Sequence, residues 1–73
     1  MKLLPLLSMV AVTEDLSDRG LTRGQIGTVV EHLERDGDLA ILVEFSDTEG
    51  RTYAIEALRP DQLMGLHRRT EAA

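Results

Sequence analysis

Seventy-three residues, 42% hydrophobic and 29% charged, make at most one thin-cored globular domain, and no apolar run reaches the roughly 18 residues of a membrane span. Thirteen acidic against eight basic residues leave a net charge of -5, the wrong sign for neutralising phosphates, so nucleic acid is disfavoured as a partner. Cysteine is absent, which excludes disulfides, thiolate metal sites and cysteine nucleophiles and points to a cytoplasmic protein.

The opening Met1-Lys2-Leu3-Leu4-Pro5-Leu6-Leu7 is apolar like a leader peptide. A single lysine, an early proline and the lack of a small-x-small cleavage site argue against that reading. Ser8 to Val12, with β-branched Val10 and Val12 two apart, predicts a first strand. The polar, glycine-bearing stretch Thr13 to Gln25 then predicts a long loop tacked down by Leu16 and Leu21. Ile26 to Leu33 predicts a second strand whose two faces are both apolar, so its buried face stays open. Asp36-Gly37 supplies a hairpin turn.

Leu39 to Ser46 returns as a third strand. Ile41, Val43 and Phe45 alternate with Leu42, Glu44 and Ser46, which predicts one buried face with Phe45 as its anchor. After Asp47-Thr48-Glu49-Gly50, the run Arg51 to Leu58 predicts a fourth strand with Tyr53 and Ile55 on one side. Arg59 to Leu63 fits a single tight helical turn, and Met64 to His67 a short closing strand. Three glycines rule out a helix through Glu14 to Glu34.

The fold expected from these pieces is mostly β: a small five-stranded SH3-like barrel with a long first loop and one 3-10 turn before the last strand. Closure would spare a thin sheet its exposed edges, and Gly27 within a strand suits a point of sharp coiling. Residues 1–67 form the single domain and 68–73 a flexible tail, in which Arg68 and Arg69 read as a solvated end.

Taken together, Val10-Ala11-Val12-Thr13-Glu14-Asp15-Leu16, Gly20-Leu21-Thr22-Arg23-Gly24-Gln25-Ile26-Gly27-Thr28-Val29-Val30-Glu31, Val43-Glu44-Phe45-Ser46-Asp47, Gly50-Arg51-Thr52-Tyr53-Ala54 and Asp61-Gln62-Leu63-Met64 resemble a bacterial family, the domain of unknown function 4926. The resemblance runs from about Leu7 to His67. That family has no assigned activity. Its members are often encoded beside small toxin-like proteins, so the resemblance implies a neutraliser. The run Gly24 to Val30 also resembles the KOW motif of translation and transcription factors and the barrel of nitrile hydratase β subunits, which bears on fold more than on function.

No pattern in the chain carries catalysis or a cofactor. Gly20, Gly24 and Gly27 lack the Lys-Ser or Lys-Thr of a phosphate loop. His32 and His67 have no metal-site spacing and read as surface or rim residues, and Asp36-Gly37-Asp38 lacks the remaining ligands of a calcium loop. Ser8, Ser17 and Ser46 lack a nucleophile elbow.

The functional expectation is therefore a non-catalytic protein-interaction module with an acidic docking face. Glu31, Glu44, Asp47, Glu49 and Glu56 are its candidate contact residues, and a basic, toxin-like protein is its candidate partner. Glu31 and Glu44, on pairing strands, are expected to share a face. The alternatives are a KOW-like RNA- or ribosome-associated module working through Arg19, Arg23 and Gln25, and an accessory subunit or homodimer pairing through an edge strand. No cofactor, metal or membrane is expected.

Overall fold

The computed structural model describes residues 4–66, and these form one five-stranded antiparallel sheet: β1 (Met9–Val12), β2 (Ile26–Arg35), β3 (Asp38–Ser46), β4 (Thr52–Leu58) and β5 (Leu63–Gly65). Strand order across the sheet is β4-β3-β2-β1-β5. The expected 3-10 turn precedes β5 at Pro60–Gln62, and a second, Ser17–Arg19, lies in the long loop after β1. Among the described residues no helix is long and apolar enough to cross a membrane.

β2 and β3 form a tight hairpin because Asp36 (φ 53) and Gly37 (φ 85) both take positive φ. That is the geometry of a two-residue turn whose twist matches the flanking strands. The alternation read in β3 holds: Ile41, Val43 and Phe45 are fully buried, while Leu42 and Glu44 face the other way, half-buried, and Ser46 is exposed. Val29 of β2, Leu58 of β4, Val10 and Val12 of β1, and Leu63 of β5 complete one core layer against the same face.

Gly27 lets that layer close. A Cβ there would lie 2.6 Å from Val43 Cγ1, 2.9 Å from the Glu44 carbonyl oxygen and 2.9 Å from Phe45 Cδ1, so close packing across the sheet is what the position demands.

The long loop is held as the sequence suggests. Leu16 and Leu21 are buried and exchange backbone hydrogen bonds of 2.9 and 3.0 Å. The Arg23 N–H donates to Asp15 Oδ1 at 2.9 Å.

The expected barrel is corrected. The sheet does not close into a barrel, for β4 and β5 are its two ends. β5 is only three residues long. Part of the free edge of β4 is occupied by a side chain instead of a strand: Arg19 Nη1 donates to the Ala57 carbonyl at 2.7 Å.

Tyr53 and Ile55 do not share a side. The register shifts between Phe45 and Ser46, so Tyr53 falls beside Phe45, with ring centroids 6.4 Å apart, while Ile55 pairs with Glu44 on the opposite face. His32 is more than a rim residue, since its half-buried ring donates from Nε2 to the Leu4 carbonyl and ties the N-terminal segment down. His67, Arg68, Arg69 and the expected tail lie outside the described residues.

Candidate interaction surface

Residues paired across antiparallel strands stand on the same face, so the registers assign each paired strand acid a side. Glu44 pairs with Thr28 and Ile55, and Glu31 pairs with Leu42; both acids therefore lie on the outer face, away from the core. They are offset neighbours rather than direct opposites, and the register shift between Val29 and Glu31 is what turns Glu31 to this face, opposite Leu42 and not Ile41. Thr52 Oγ1 donates to Glu44 Oε2 at 2.8 Å and orients that carboxylate.

The other three candidates are placed elsewhere. Glu56 pairs with buried Val43, which puts it at the margin of the core face, where Arg19 Nη1 meets its Oε1 at 3.1 Å. Asp47 is a loop organiser: its Oδ1 accepts the N–H groups of Glu49 and Arg51, both at 2.9 Å. The Arg51 guanidinium pairs with Asp47 at 3.7 Å and also with Glu49. The structure thus places Glu31 and Glu44 on one face and leaves Asp47 and Glu49 to their own loop and Glu56 to Arg19.

Basic residues offer no matching cluster among the described residues. Arg19 is committed to Glu56 and Ala57, Arg51 to its own loop, and Arg59 to Asp61, 3.1 Å away. The hydrogen bond from Arg59 holds the Asp61 carboxyl below its ordinary value, and the same bond raises Arg59. Gln25 is engaged at both ends of its amide, accepting the Thr22 N–H at 2.7 Å and donating to the Tyr53 hydroxyl at 2.6 Å.

Sequence reasoning missed the apolar members of the outer face. Met9, Ile26, Ile55 and Met64 are each between 48% and 55% exposed. Pairing places Met9 beside Thr28, and Ala11 between Ile26 and Met64, so these residues and the two acids belong to one surface. At the hairpin end of the sheet an open concavity of about 480 Å³ is lined by Leu33, Ala40 and Ala57 together with the charged hairpin residues. No group of three or more His, Asp or Glu residues that could hold a metal occurs among the described residues.

The model of the family described as "Domain of unknown function (DUF4926)" matches residues 6–65. The chain belongs to this family. The matched span of the DUF4926 domain takes in all five strands and both outer-face acids. No curated protein and no solved structure matches the chain.

Proposed function

We propose that this DUF4926 domain is a non-catalytic, cytoplasmic protein-interaction module that docks a basic protein on the outer face of its sheet, and that neutralising a toxin-like neighbour is the role such docking serves. The observation that carries the reading is the placement of Glu31 and Glu44 on one outward face, while Arg19, Arg51 and Arg59 are tied to acids elsewhere. Arg35, at the end of β2, stands opposite Asp38 and adds no net positive charge there. A surface of this sign steers a cationic partner and fixes its register.

An SH3-like arrangement is part of the proposal. Its support is the antiparallel order β5-β1-β2-β3-β4, the long loop after the first strand and the 3-10 turn before the last.

The RNA-binding alternative loses support because Arg19 and Gln25, two of its three residues, are spent on intramolecular contacts. Edge pairing loses support because Arg19 covers Ala57 and a bulge interrupts the start of β4.

The deciding experiment is capture of partners from native cells by the tagged domain, at low and high salt, beside a bait carrying Glu31→Lys and Glu44→Lys. A single basic protein, lost at high salt and absent from the lysine bait, is the expected result. Recovery of RNA or ribosomal proteins, indifferent to both substitutions, would sink the proposal.

A further inference from the structure

The outer face carries more than charge. Cross-strand pairing runs Met9, Thr28, Glu44, Ile55 in one row, extended onto the β5 side by Leu66, whose N–H donates to the Met9 carbonyl at 2.9 Å. A second row reads Met64, Ala11, Ile26. With strands about 4.8 Å apart, the first row spans about 20 Å. Small Ala11 and Thr28 sit between larger side chains that are half exposed, and two of those are methionines, which repack readily around a bound surface.

We infer that this platform receives an amphipathic, basic helix of a partner protein, an inference that rests on the docking proposed above and names what is docked. Three observations converge on that occupant. The platform presents side chains and not backbone, whereas strand addition needs a free edge, and of the two sheet ends β5 is three residues long and β4 has its Ala57 carbonyl taken by Arg19. Its width accommodates one helix of about 10–12 Å diameter lying on it. Its charges are acidic: Glu44 keeps one carboxylate oxygen without a hydrogen bond among the described residues, and Glu31 makes none there. A second copy would add two more acids to the contact and no net positive charge from the same face to meet them, whereas a helix with an apolar stripe flanked by Lys or Arg satisfies both parts of the surface.

The test is methyl NMR on the full chain labelled at methionine. It is titrated with a synthetic peptide that forms a leucine-striped, lysine-flanked helix, with a scramble of that peptide that destroys the stripe, and with a glutamate-flanked version. The striped basic peptide is expected to move the Met9 and Met64 methyl resonances and to bind more weakly as salt rises. Met9→Ser with Met64→Ser should weaken it about tenfold or more, as should Glu44→Lys.

The outcomes separate the two claims. If the scramble binds as well as the striped peptide, the platform fails and acidic docking stands. If the glutamate-flanked peptide binds best, the acids are irrelevant and both fail. Methyl shifts that depend on protein concentration alone would identify a second copy as the occupant and overturn the inference. No methyl movement with any peptide would overturn it too.

Discussion

The two faces of this sheet each carry large apolar residues, and these meet different fates. On the inner face Val10, Val29, Ile41, Val43 and Phe45 have no exposed surface at all, whereas on the outer face Met9, Ile26, Ile55 and Met64 leave about half of theirs in water. Hydropathy does not separate the two sets. What separates them is company: the inner set packs into one cluster, at the place where Gly27 lets β3 side chains pass, and the outer set lies outside that cluster and half exposed among the described residues. That open apolar face is the feature on which the proposed docking of a helix rests.

The largest effect that can probe this contrast is Phe45→Ala. Removing the biggest fully buried side chain should cost about 3–5 kcal/mol. A chain of 73 residues has roughly 4–11 kcal/mol in total. Urea unfolding should show the midpoint collapsing toward zero. A loss no larger than that of an outer-face substitution would erase the distinction between the faces.

Next is Gly27→Ala, which leaves every inner side chain in place but forces a Cβ against Val43, Phe45 and the Glu44 carbonyl. The backbone oxygen at 2.9 Å cannot swing away as a side chain can, so a cost of about 1–3 kcal/mol is expected in the same measurement.

How much of this was legible follows from the strands one by one. β3 was readable because its outer members include Glu44 and Ser46, so the period of two stands out against its apolar inner members. The Asp36-Gly37 turn was readable because its backbone geometry needs those residue types.

β1, β2 and β5 were readable as strands but not as faces, since Met9, Ile26 and Met64 look like core by composition alone. Bulges are invisible to alternation, and the one opposite Phe45 reversed Tyr53 relative to Ile55. The acids were legible as a surplus but not by position. Glu56 lands opposite Val43 on the core side and meets Arg19, a contact spanning 37 residues of sequence that no local pattern announces.

That long-range contact yields a smaller prediction. Arg19→Ala removes the bond to the Ala57 carbonyl and the partner of Glu56, both at the partly exposed edge of β4, and should cost about 1 kcal/mol. Its sharper signature is at the edge: amide exchange along β4 should speed up, and the variant should self-associate more readily, because an uncovered strand edge pairs with its like. Unchanged sedimentation of the variant would mean that Arg19 does not guard this edge.

The smallest expected effect on stability belongs to the pair Met9→Ser and Met64→Ser. Each side chain is about half in water already and outside the core cluster, so the unfolding midpoint should shift by the equivalent of about 0.5 kcal/mol or less per site. Apolar surface exposed in the free protein gives up little when it is trimmed, and its contribution appears only when something covers it. The two faces therefore predict opposite profiles: Phe45→Ala strips most of the stability and lowers binding only through the unfolded fraction, while the methionine pair leaves the fold standing and weakens binding of the basic helix about tenfold or more. A double-methionine variant that unfolds as readily as Phe45→Ala would show that the outer face is a second core, and the platform would lose its claim to be a docking surface.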